Sequence, residues 1–168
     1  MEFWQTIAAV IVGGALTFLG TIAAKIWEHR QRRRVVGQAI RAEIDSTLKM
    51  TERRGYEEMF QGYVDRWKAG EALDATPGII GFDEQSDQQA YPVMFAHLGD
   101  LGALRTEDAS DVVRFYSGLL GIRSDIKAIS RGHVTDPQHK LRLVETDLQL
   151  WREIRDLGQS LVERLGRS

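Results

Sequence analysis

The stretch FWQTIAAVIVGGALTFLGTIAAKIWEHRQRRRVVGQAIRAEI, residues 3–44, decides how the rest of the chain is read. Positions 3–24 carry no charge, and then Lys25, Arg30, Arg32, Arg33 and Arg34 follow in quick succession. At a rise of about 1.5 Å per residue, an uncharged helix of that length reaches roughly 33 Å, enough for a hydrocarbon core of about 30 Å. Trp4 and Trp27 bracket it at the two depths where an indole keeps its ring in the interface and its N–H in water. A cleaved secretory signal has the opposite order, with basic residues first. Here Glu2 is the only side-chain charge ahead of the apolar run. The bias of basic residues toward the cytoplasmic side puts the N-terminus outside. Residues 1–27 are therefore read as a transmembrane anchor and 28–168 as a cytoplasmic domain.

Within the span, Thr6, Ala9, Gly13, Thr17, Gly20 and Ala24 recur at intervals of three and four, so they share one narrow arc of a helix. Ile11, Phe18, Leu19 and Ile22 occupy the far side. Lipid is expected against the bulky side and a second helix against the small one, in the manner of small-xxx-small association. Lys25, Arg30, Arg32, Arg33 and Arg34 form a belt positioned for anionic lipid headgroups, each gaining about 1 kcal/mol near such a surface.

Inward of the belt the helix is expected to continue, because residues 28–53 lack proline and place Val36, Ile40, Ile44 and Leu48 four apart. Gly37 is its one weak point, and Arg53-Arg54-Gly55 marks a turn. Tyr56, Met59, Phe60, Tyr63, Val64 and Trp67 then form one aromatic face of a helix over about 56–69. An acidic loop is expected over 70–90. Pro92 opens a short helix whose Phe95, Leu98 and Leu101 face inward, and Thr106-Glu107-Asp108 caps a longer one. Val112, Phe115, Tyr116, Leu119, Ile122, Ile126 and Ile129 carry that helix to Ser130, where Arg131-Gly132-His133 closes it. Asp136-Pro137 opens the last helix, with Leu141, Val144, Leu148, Trp151, Ile154, Leu157, Leu161 and Leu165 on one stripe. The fold class is all-α: a single N-terminal transmembrane helix continuing into a cytoplasmic bundle of about four to five helices.

Composition narrows the chemistry. The 168 residues contain 22 Lys and Arg against 24 Asp and Glu, a net charge of −2, and no Cys. Disulfides, thiolate metal sites and Cys nucleophiles are excluded, and the balanced charge argues against a partner held through its phosphates, so no nucleic acid is expected. There is no GxxxxGK[ST] loop and no HExxH, and Asp83, Glu84 and Asp87 lack the ligand order of an EF-hand. His29, His97, His133 and His139 have no metal-binding spacing. Glu57-Glu58, and Glu145 with Asp147, read as solvated charges because neighbours one or two apart on a helix point to different faces. No catalytic residue, cofactor site or metal site is assigned.

Ala39-Ile40-Arg41-Ala42-Glu43-Ile44 after the anchor, then Tyr91-Pro92, Leu98-Gly99-Asp100-Leu101-Gly102 and Val112-Val113-Arg114-Phe115-Tyr116, resemble small bacterial single-pass membrane proteins with a cytoplasmic helical domain, of the prophage- and defence-associated type. The layout is also similar to the pore-forming membrane accessory protein of RNA-targeting CRISPR systems. That resemblance implies an oligomer in the bacterial inner membrane, in its sharpest form a pore or membrane-disrupting effector in antiphage defence. It implies no ribonuclease activity here, since Arg131, His133 and His139 lack the Arg–His spacing of a HEPN motif. The alternative expectation is a monomeric tether that recruits a cytoplasmic protein to the membrane.

Overall fold

The structure, a computed structural model, describes the backbone of residues 2–71 and 86–167, and the side chains from 18 onward within those ranges. Six α-helices and one 3-10 segment make up the described residues, without strands. They are α1 (Glu2–Arg53), α2 (Tyr56–Lys68), α3 (Asp87–Ala90), α4 (Pro92–His97), the 3-10 segment Leu98–Ala103, α5 (Thr106–Ser130) and α6 (Pro137–Gly166).

α1 is 52 residues long, about 78 Å at the α-helical rise, and it passes through Gly37 without a break. Its two halves have different surroundings. Residues 18–32 are all exposed, whereas Val36, Ile40 and Ile44 have at most 2% exposure and lie in the core. Gly37 does not weaken the helix because it is packed: a Cβ there would meet Leu104 Cδ2 at 3.7 Å and Leu165 Cδ2 at 3.8 Å. Among the described residues, no helix is long and apolar enough to cross a membrane. Of the expected span, only residues 18–24 have described side chains; beyond them Lys25, Glu28, His29 and Arg30 interrupt the apolar run.

The contacts between elements fix the topology. Arg41 Nε donates to the Val162 carbonyl at 3.0 Å, and a Cβ on Gly158 would meet Leu48 Cδ1 at 3.2 Å, so α6 runs antiparallel to α1. After the turn at Arg54 and Gly55 (φ +60°), α2 continues in the direction of α1 and stays against α6. Glu57 pairs with Arg152 and Arg155 at one end of this contact, and Lys68 with Glu145 at the other. α4 and the 3-10 segment climb back along α1, α5 descends, and α6 returns. The aromatic face of α2 is core, as its spacing predicts: Phe60 and Val64 are buried, and Tyr56, Met59, Tyr63 and Trp67 pack against them.

Several expectations need correction. Leu98 is 46% exposed, because the chain changes from α to 3-10 geometry after His97 (φ −108°) and the two segments do not share a face. Arg105, not Thr106, is the N-cap of α5, without a side-chain hydrogen bond, and Asp108 is buried within 3.6 Å of Arg164. Of the acidic loop expected over 70–90, residues 72–85 lie outside the described residues, and 87–90 are helix α3, begun by a Ser86–Gln89 capping box. Asp147 is not solvated but 1% exposed. Asp136 caps α6 as expected, accepting from the Gln138 and His139 amides.

α5 and α6 approach closely enough to require glycine at two points. A Cβ on Gly118 would lie 2.6 Å from Ile154 Cγ2, and one on Gly158 would lie 2.6 Å from Phe115 Cε2. Gly158→Ala is expected to lower the unfolding free energy by about 1–3 kcal/mol through overpacking. Gly121→Ala, on α5 with nothing within 4 Å of the added methyl, is expected to raise it by about 0.5–1 kcal/mol. Urea denaturation of the two variants checks both signs.

Candidate functional site

The residues expected to carry function fall along α1. Trp4, Thr6, Ala9, Gly13 and Thr17 lie outside the residues whose side chains are described. Gly20 and Ala24, from the small face, are exposed, and no atom lies within 4 Å of a Cβ placed on Gly20. On the other side Phe18 is 67%, Leu19 60% and Ile26 49% exposed, and Trp27, 66% exposed, follows Ala24 by three residues on the small face. Large apolar side chains exposed together on a helix are the kind of surface that marks interaction sites in other proteins. Lys25, Arg30 and Arg34 are exposed and Arg33 is half-buried, so this part of the belt is available to a ligand. Arg32 is different: it pairs with Asp100 of the 3-10 segment. The pairing with Arg32, and secondarily with His97 at 3.5 Å, holds the Asp100 carboxyl below the usual carboxylate range.

Below the belt, Glu43 reaches from α1 to the start of α4. Its two oxygens accept from the Val93 amide at 2.8 Å, the Met94 amide at 2.9 Å and the Tyr116 hydroxyl at 2.7 Å. Pro92 has no N–H to give, so the first two free amides of α4 are both satisfied by a residue fifty positions away. Tyr116 is fully buried, and burial followed by its hydrogen bond to Glu43 pushes its hydroxyl far above the usual tyrosine range. It therefore remains a neutral donor. Tyr91 stacks edge-on to it at 5.5 Å and is pushed up to about 12, chiefly by burial. With three donors already on Glu43, this cluster is a bracket joining α1, α4 and α5 and offers no free base.

A second buried group lies between α5 and α6. Asp147 has a carboxylate oxygen without a hydrogen-bond partner among the described residues, and burial, then the charge and hydrogen bond of Asp125, push it up to about 8. Two carboxyl groups face each other where one must hold a proton. The spacing of α6 carried the signal: 147 is three residues after Val144 and four before Trp151, on the same stripe.

A cleft of about 470 Å³, including the part open to solvent, lies between α1, α2, α5 and α6, walled by Met50, Tyr56, Phe60, Ile122 and Trp151. Its one charged wall residue, Arg123, is tied to Asp87 at 3.0 Å. Among the described residues no group of three His, Cys, Asp or Glu is placed to hold a metal ion. Compared with known proteins, the chain matches no family model, no curated protein and no solved structure.

Two outcomes follow. Because folded Asp147 holds its proton more tightly than it does in the unfolded chain, its contribution to stability is complete below about pH 4 and is lost as pH rises to about 8. Asp147→Asn is therefore expected to gain on the parent chain progressively over that window, the gap levelling above pH 8, in thermal melts across pH. Glu43→Gln places an amide donor against one of three donors and is expected to cost about 1–3 kcal/mol. Tyr116→Phe is expected to cost less on the Glu43→Gln background than alone, which a double-mutant cycle in urea measures.

Proposed function

We infer that this chain is a membrane-anchored, self-associating helical protein. Residues 1–27 cross the inner membrane of a bacterial cell with the N-terminus outside, and the bundle stands in the cytoplasm. The observation that carries this reading is the exposure of residues 18–32: these fifteen consecutive helical residues, which end at Arg32 with its pair to Asp100, are all exposed, yet they include Phe18, Leu19, Ile22, Ile26 and Trp27. Left in water, such side chains would forgo about 25 cal/mol for every Å² of apolar surface that a bilayer could cover. The uncharged residues 3–24 ahead of them extend that surface to the length of a bilayer core. Lys25 and the arginines after it then meet the headgroups.

Self-association rests on the small face. Gly20 and Ala24 leave the backbone of α1 open to a neighbouring helix, and Thr6, Ala9, Gly13 and Thr17 continue that arc in the sequence. Lipid and a second copy of the chain are thus the partners of α1, on opposite sides.

Flotation of the full chain with bacterial membranes after an alkaline wash, together with protease added to spheroplasts, tests the anchor. The expected result is a floating protein whose C-terminal portion is protected; a protein wholly in the supernatant, or one digested from outside, removes the reading. Native mass spectrometry in detergent is expected to show a discrete oligomer that Gly13→Leu with Gly20→Leu dissociates. A monomer at every concentration would support a tether in its place.

A further inference from the structure

We propose that the bundle itself has a second membrane contact, the apex formed by residues 98–102, which docks on an anionic bilayer surface. The inference deepens the anchoring reading and rests on it. Three contacts fix the height of this segment along α1: Val93 and Met94 at Glu43, Asp100 at Arg32, and Leu104 at Gly37. The chain thus rises to the level of Arg32, then turns back, and among the described residues the apex is the part of the bundle nearest the exposed half of α1. Arg32 is five residues past Trp27, about 8 Å along the helix. If the Trp27 indole lies in the interface, the apex lies at the depth of the headgroups.

The surface at that level suits a bilayer. Leu98 is 46% exposed, and a Cβ on Gly99 or Gly102 would meet nothing within 4 Å, so the apex is bare and free of obstruction. The acid within it, Asp100, is neutralised by Arg32 and approached by His97, which removes its repulsion for lipid phosphate. Arg33 and Arg34 lie at the same height on other faces of α1, and exposed Arg105 follows Leu104; Glu107, two residues further on, opposes it in part. Exposed Leu98 adds a large apolar side chain on the bundle, below the exposed Phe18 and Ile26 of the rod. A leucine entering the interface with arginines on phosphates is the pattern of a peripheral membrane contact.

The chain has no Cys, so Leu98→Cys and Met50→Cys give single labelling sites of similar exposure, 46% and 41% for the parent residues. Met50 lies eighteen residues beyond Arg32, about 27 Å further from the membrane. Each full-length variant carries an environment-sensitive fluorophore in vesicles of phosphatidylcholine, with or without phosphatidylglycerol, containing headgroup-spin-labelled lipid. Quenching several-fold greater at position 98 than at 50, rising with phosphatidylglycerol and falling when Arg33, Arg34 and Arg105 become Gln, is expected. Equal quenching at both positions in a chain that still floats overturns the apex contact and leaves the anchor intact. Quenching indifferent to phosphatidylglycerol overturns the anionic surface as its partner. Self-quenching at position 98 that depends on protein density, without quenching by lipid, shows a second copy there instead. A chain that does not float removes the anchor and this inference together.

Discussion

A single uninterrupted helix can pass from one environment to another only if each environment suits the stretch it holds, and α1 makes that passage between Arg32 and Val36. On one side every side chain from 18 to 32 is exposed; on the other Val36, Ile40 and Ile44 are sealed in the core. Backbone hydrogen bonding is satisfied within the helix throughout, so no polar cost attaches to the crossing. What changes is the periphery. The apolar stripe of the lower half is answered by α4, α5 and α6, whereas the apolar side chains of the upper half are left exposed among the described residues. The charged collar between them marks the change.

The bundle closes on α1 because Glu43 can satisfy backbone and side chain together. α4 has only six residues, too short to hold itself in water, and its free amides need an acceptor. A carboxylate supplied from α1 meets that need, suits the positive end of the helix dipole, and accepts the hydrogen bond of the buried Tyr116 hydroxyl. The contrast with Asp147 is instructive. Both are carboxylates at core positions, but one faces three donors and the other faces Asp125, so one strengthens the packing and the other withdraws stability as it ionises.

The sequence discloses the long elements well. Four-residue spacing of Val36, Ile40 and Ile44, the broad aromatic face of α2, and the Asp136-Pro137 start of α6 are all repeated local signals, and repetition averages out exceptions. Single long-range pairings lack such repetition. Nothing near Glu43 in sequence indicates Val93 or Tyr116, and nothing near Arg32 indicates Asp100. α3 escaped notice because four residues hold one turn, and Leu98 because a change from 100° to about 120° per residue moves a side chain off the expected face. Asp147 was legible by position; comparison with its close neighbour Glu145 hid its place on the stripe containing Val144 and Trp151. The small face expected along residues 6–24 belongs to sequence alone over Thr6, Ala9, Gly13 and Thr17.

The two links between α1 and the returning chain have a mechanical consequence. Arg32 holds Asp100, and Glu43 holds Val93 and Met94, eleven residues or about 17 Å apart along one helix. A segment fastened at one point can pivot; fastened at two, it must follow the axis. Tilt or rotation of the exposed half of α1 is therefore carried into the bundle as a rigid displacement, until one link breaks. The weaker link is the upper one, because Arg32 is 62% exposed and its pair is open to screening, whereas Glu43 is backed by a buried hydroxyl. Any partner of the rod, lipid or a second helix, can shift the bundle only by favouring one position of α1 over another. The 3-10 apex, held by the weaker link, is where such a preference would first change the contacts.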